Sequence, residues 1–396
     1  MAAHRRRPAV AALAALAAAV MAAGCAGPRA PAAMAPTGQP SFAAYARETR
    51  DWIARQRDFQ TGSTADELDW NAPREWRPTG PATRGVLLVH GLGDSPWSFT
   101  DIGQALAAQG YLVRTALLPG HGTRPADLVG VNLDDWRRVL SEQAAILARD
   151  VPQVYLGGFS TGANLALEYA LEHDHVQGLL LFSPALKSGV SGDWLLPWLA
   201  RVTTWVRPPS ADAPQQSALR YQNVPTNAFA QYYRSSVAVR KQLARAQFDK
   251  PAVLVLAEHD SVVDVQHALQ TFDTRFTHPG SRLIYYGTLA PQARPARVLV
   301  RTDRLAEQRI SQFSHMGVLF APGNPLYGVQ GTQRICWNGQ GHIERARCLA
   351  GDPVWYSEWG YRESGKVHAR LTYNPWFDWQ AGVIAGVMAG VMGGVE

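Results

Sequence analysis

One serine in this chain stands where a hydroxyl could be made into a nucleophile. Gly158-Phe159-Ser160-Thr161-Gly162 follows the apolar run Val154-Tyr155-Leu156-Gly157 and leads into a helical pattern that reaches Glu172. A G-x-S-x-G string alone is common. Between a buried strand and a helix it becomes specific, because a sharp turn there holds the serine in strained backbone and exposes its hydroxyl. Side chains at positions 158 and 162 would collide with neighbouring elements. The helix that follows aims its free N–H groups at developing negative charge. A serine hydroxyl is still a weak nucleophile and needs an adjacent base, normally a histidine held by a carboxylate.

Where this turn occurs, the order along the chain is serine, acid, histidine. Asp260, in Ala257-Glu258-His259-Asp260-Ser261-Val262-Val263, lies just past the end of a strand, and Glu258 and Asp264 are its rivals. His315, in Phe313-Ser314-His315-Met316-Gly317-Val318, comes after the acid and after the last strand candidates. His267 and His278 lie too near the strand before Asp260 and its following helix. His173 and His175 sit at a helix end, and His342 lies between two cysteines. Two backbone N–H donors are needed to hold an oxyanion. Thr161, next to the nucleophile, supplies one. Leu92 supplies the other, from His90-Gly91-Leu92-Gly93-Asp94-Ser95, where glycines let the backbone approach closely. His90 is expected to brace this loop, and Asp94 and Ser95 to form turns. The expected chemistry is acyl transfer through a covalent intermediate, with neither metal nor cofactor.

The elements that must position these groups are legible as strands alternating with helices. Strands are expected over 85–90, 111–117, 154–157, 177–182 and 252–257, with further candidates at 283–286 and 297–302. Helices are expected over 101–109 and 134–149, and after Gly162 through Glu172. This alternation predicts an α/β fold with a mostly parallel, doubly wound sheet, and a site at the carboxyl ends of the strands. Phe42 to Phe59 carries a helical apolar period at the start of the folded part. The alternation breaks between Ser183 and Pro251. That stretch holds Trp194, Trp198, Trp205, Tyr221, Phe229, Tyr232 and Tyr233, and reads as a helical cap over about 184–250. The apolar stretch from Ala381 to Val395 is too short to span a bilayer and reads as a packed terminal helix.

At this point the chain resembles an α/β-hydrolase of the carboxylesterase and monoacylglycerol-lipase group, which includes bacterial lysophospholipase-like proteins. The resemblance rests on HGLGDSPWSF at 90–99, LLPGHGTRPADL at 117–128, DDW at 134–136, GGFSTG at 157–162, EHDSVV at 258–263 and SHMGV at 314–318. It implies hydrolysis of monoacylglycerols, lysophospholipids or short carboxylic esters, and a structural role for His121 in the Gly120-His121-Gly122 loop. The same triad could also act on thioesters, lactones or amides, and a binding scaffold without catalysis is a further reading. The sequence departs from the group after Gly317. About fifty-five residues precede Tyr373-Asn374-Pro375-Trp376-Phe377-Asp378, which resembles the start of the group's last helix. This insertion, over about 320–370, is expected to wall the cleft.

The N-terminus reads as an export signal. His4 to Arg7 are basic, Ala9 to Ala23 are mostly apolar, and Gly24-Cys25 follows. Met21-Ala22-Ala23-Gly24-Cys25 resembles a bacterial lipobox, with Ala22 where leucine is usual. The resemblance implies cleavage after residue 24 and a lipid on Cys25. Residues 26–40, rich in Pro, Ala and Gly, would tether the domain over 41–396 to the membrane of a cell envelope, facing the periplasm or exterior. Cys336 and Cys348 close a short loop and read as a disulfide, which suits an oxidising compartment. The net charge is +6, of which Arg5, Arg6 and Arg7 account for half. The scattered remainder argues against a nucleic-acid partner.

Overall fold

The computed structural model describes residues 34–210, 214–290 and 295–390. The export segment, Cys25 and most of the expected tether lie outside the described residues.

Two helices lead in: α1, Phe42–Gln56, and α2, Thr64–Asn71. Ser41 and Ser63 begin them by accepting the N–H groups of Ala44 and Asp66, which an unbegun helix turn would leave unpaired. The sheet then builds from β1 (Glu75–Trp76), β2 (Arg84–Val89), β3 (Tyr111–Ala116), β4 (Gln153–Phe159), β5 (Val176–Phe182), β6 (Ala252–Ala257), β7 (Arg282–Tyr286) and β8 (Val298–Arg301). Their spatial order is β1-β3-β2-β4-β5-β6-β7-β8. All neighbours pair parallel except β1, a two-residue edge strand antiparallel to β3. Neither β1 nor α2 was expected from the sequence.

The strands are apolar on both sides because helices cover both faces. Leu87 and Val89 of β2 join one buried layer, with helices α4 (Leu133–Asp150), α5 (Thr161–Glu172) and α8 (Val265–Arg275). Val86 and Leu88 join the other, with α3 (Thr100–Ala108) and the terminal helix α10 (Phe377–Met388). The parallel, alternating architecture is the one expected.

Between β5 and β6 lie α6 (Leu196–Val202) and α7 (Thr226–Leu243). They have different roles. Ala228, Tyr232, Val239 and Leu243 of α7 belong to the main buried layer. On and beside α6, by contrast, Trp194 and Trp198 are 59% and 63% exposed. These two tryptophans therefore present their rings to solvent and are no part of a buried core. After β8 comes the stretch expected as an insertion, with helix α9 (His342–Leu349) and a parallel pair, β9 (Trp355–Ser357) and β10 (His368–Arg370). Cys336 and Cys348 form a disulfide, and with Val354, Val367 and Ala369 they make a small core of their own.

Candidate active site

Ser160 sits where β4 turns into α5, with φ 54° and ψ −115°, a conformation that non-glycine residues rarely adopt. Gly158 and Gly162 make the turn possible. A Cβ on Gly162 would lie 2.0 Å from the Val89 carbonyl oxygen, and one on Gly158 would lie 2.3 Å from the Gly162 carbonyl carbon. The Ser160 N–H donates to the Phe182 carbonyl at 2.9 Å, which fixes the turn to β5. Thr161 is the first residue of α5, where a backbone N–H has no partner within the helix.

Asp260 and His315, 55 residues apart in sequence, meet directly. His315 Nδ1 and Asp260 Oδ2 are 2.6 Å apart, and the carboxylate is fully buried. The other carboxylate oxygen accepts the N–H groups of Val262 and Val263, at 2.8 and 3.2 Å. An acid held in this way cannot swing away from the imidazole. The His315 ring packs on Phe159, the neighbour of Ser160, with centroids 4.8 Å apart. Its carbonyl accepts the Ser183 hydroxyl at 2.9 Å, at the end of β5. The rival acids are engaged elsewhere. Asp264 caps α8 and pairs with Lys187 at 2.7 Å, and Glu258 accepts the Thr288 N–H.

The loop after β2 lies against the serine. A Cβ on Gly91 would come within 3.2 Å of the Ser160 Cβ, so Leu92 follows a backbone stretch in close contact with Ser160. Two buried histidines hold this loop. His90 Nε2 accepts the Leu118 N–H at 3.1 Å, which leaves its Nδ1–H to donate to the Gly91 carbonyl at 2.8 Å. His121 Nε2 accepts the Gly93 N–H at 3.0 Å, and its Nδ1–H donates to the Leu118 and Pro119 carbonyls. Both rings are needed neutral. Burial keeps them so, holding His90 well below the usual range and His121 down to about 4. Tyr221 stacks on His121, 5.8 Å between centroids, and donates its N–H to the Gly93 carbonyl.

The insertion reaches this site through residues that sequence reading did not single out. Glu358 is buried and accepts the His315 N–H, the Ser261 hydroxyl and the Trp359 N–H. Burial raises its carboxyl above the usual range, Arg370 opposes that rise, and Asp260 adds to it. Asp94 is also raised by burial and faces both Arg220 and His315, which is more than a turn residue needs. No local pattern could have marked Glu358, because it lies 43 residues beyond His315 and acts on a backbone group. Among the described residues, Glu258, His259 and Asp303 bring three possible metal-ligand atoms within 4.8 Å. His259 and Asp303 already pair there at 2.7 Å.

A parallel sheet with a strained serine at a strand–helix turn and an acid–histidine pair past later strands defines an α/β-hydrolase. Residues 80–289 match the family described as serine aminopeptidase, S33, and the chain belongs to that serine hydrolase family. The match takes in Ser160 and Asp260 and ends before His315. A thermostable monoacylglycerol lipase from Bacillus sp. (strain H-257) is 29% identical over 185 residues, 45% of this chain and 71% of that protein. Among solved structures, a metagenome-derived lipolytic enzyme aligns with TM-score 0.47 and 22% identity over 54% of this chain and 86% of its own. A soluble variant of monoglyceride lipase from Saccharomyces cerevisiae aligns with TM-score 0.42 and 16% identity over 54% and 81%.

Proposed function

We propose that Ser160, His315 and Asp260 form a catalytic triad that hydrolyses carboxylic esters. The observation that carries this reading is the 2.6 Å contact between His315 and a fully buried Asp260, beside a strained serine turn. Ser160 Oγ attacks the ester carbonyl while His315 Nε2 takes its proton. Asp260 holds the imidazole in the tautomer with Nδ1–H and stabilises its cation. The N–H groups of Leu92 and Thr161 receive the oxyanion. The tetrahedral intermediate collapses, His315 protonates the departing alcohol, and water then releases the acid by the same route. The likeness to a monoacylglycerol lipase supports an acyl ester as substrate. Hydrolysis of a series of p-nitrophenyl esters of rising acyl length tests this. Turnover that is lost in Ser160→Ala is expected, and turnover retained by that variant would overturn the reading.

A second reading keeps the triad and cleaves amides, as the family's description as an aminopeptidase suggests. Aminoacyl p-nitroanilides cleaved faster than any ester would favour it. The mature chain is further proposed to start at a lipid-bearing Cys25 and to work at a membrane of the cell envelope. Metabolic labelling with an alkyne fatty acid should mark the protein and fail to mark Cys25→Ala.

A further inference from the structure

The segment between β5 and β6 and the region after β8 together line an open cavity of about 240 Å³. Its wall carries Arg220, Arg334, Arg345 and Arg370, together with Trp337 and Tyr327, and among its described lining residues there is no Asp or Glu. Arg220 and Arg370 face buried carboxylates behind the wall, whereas no Asp or Glu among the described lining residues answers Arg334 and Arg345, so the cavity presents positive charge. The guanidinium groups are also placed with care. Trp337 has Arg207 on it at 4.8 Å and Arg345 at 4.9 Å from its ring centroid, a cation–aromatic stack that orients both. Arg370 Nε donates to Asn338 Oδ1 at 2.7 Å. The Cys336–Cys348 disulfide ties the segment bearing Arg334 and Trp337 to the helix bearing Arg345.

Two of the cavity's arginines lie beside the proposed catalytic groups. Arg220 Nη1 contacts Met316 Sδ at 3.1 Å, one residue from His315, and faces Asp94. Arg370 faces Asp260 and Glu358. Tyr221, also in the wall, is bound to the loop of Leu92 through Gly93.

We infer that this cavity receives the negatively charged end of the substrate, so that the enzyme selects esters carrying a phosphate or carboxylate group remote from the cleaved carbonyl. Guanidinium forks match the oxygens of both groups. The inference rests on the esterase reading for its choice of ligand, but binding can be measured without turnover. The test uses Ser160→Ala protein and calorimetry with two matched ligands, 1-lauroylglycerol and 1-lauroylglycerol 3-phosphate. The phosphate should bind at least tenfold more tightly, the preference should shrink as salt is raised, and an Arg334→Gln/Arg345→Gln double variant should lose most of it. Inorganic phosphate should compete with the phosphorylated ester. Equal binding of the two ligands would overturn the inference, as would a preference that survives the double variant. So would phosphate that occupies the cavity without displacing the ester, since the site would then hold a free anion and not the substrate's end. Thermal unfolding of the double variant checks that it is folded, and Arg334→Gln alone, at an exposed position, gives the same comparison if the double variant is not. Failure of the unsubstituted enzyme to hydrolyse esters, with the binding preference intact, would count against the proposed reaction and leave the cavity's role standing.

Discussion

Gly162 has no room for a side chain, and that fact ties the serine to the fold around it. A methyl group 2.0 Å from the Val89 carbonyl must push α5 away from β2. Gly162→Ala is expected to cost several kcal/mol, as overpacking against backbone does, and thermal unfolding will read it. Asp260→Asn tests the chemistry and not the packing. An asparagine of the same shape can leave the imidazole in the wrong tautomer, so kcat should fall on the order of 10⁴-fold with little change in the melting temperature. A fall of less than tenfold would return Glu258 or Asp264 to consideration. At this scale much of the candidate site was legible in the sequence. Ser160 was marked by its glycines, and Asp260 and His315 by their place after strands. Glu358 was invisible, because what it grips is a backbone N–H that carries no sequence signature.

The elements divide into those that declared themselves and those that did not. The strand over Ala252–Ala257 was legible to the residue, since a fully buried strand needs an unbroken apolar run. The two-residue β1 has no such run, and its pairing with β3 is fixed by tertiary contact. The stretch between β5 and β6 was visible as an interruption, but its division into the buried α7 and the exposed α6 depends on what lies beneath each helix. The loop after β2 makes a prediction at this scale. His90 and His121 must stay neutral for their ring nitrogens to accept backbone N–H groups. A group whose folded pKa lies below its unfolded value loses stability as pH falls. For His121 the loss should begin near pH 6.5 and finish near pH 4, and amount to about 3 kcal/mol. Unfolding by urea across that range should show the decline, and His121→Gln should make it shallower while the share of His90 remains. The disulfide is also an element-scale restraint. Replacing both cysteines by serine should cost about 2–3 kcal/mol and loosen the insertion, which limited proteolysis would detect.

At the scale of the whole molecule, three separate segments are clasped by one buried ion pair. Arg57, at the end of α1, meets Glu67 of α2 at 2.8 Å, and both side chains are almost fully buried. The same guanidinium donates to the carbonyls of Gly122 and Ala218, so the leading helices, the His121 loop and the segment between β5 and β6 share one anchor. Glu67→Ala leaves that cation buried without its partner and should destabilise the protein by about 3–5 kcal/mol. The proposed chemistry requires that Ser160 be activated. The direct measurement is labelling of the folded protein, lacking residues 1–25, by a fluorophosphonate probe, with Ser160→Ala and His315→Ala as controls. Labelling that requires both residues is predicted. Failure of the well-folded protein to label, or labelling that persists in Ser160→Ala, would contradict the triad and leave the fold as a scaffold for binding.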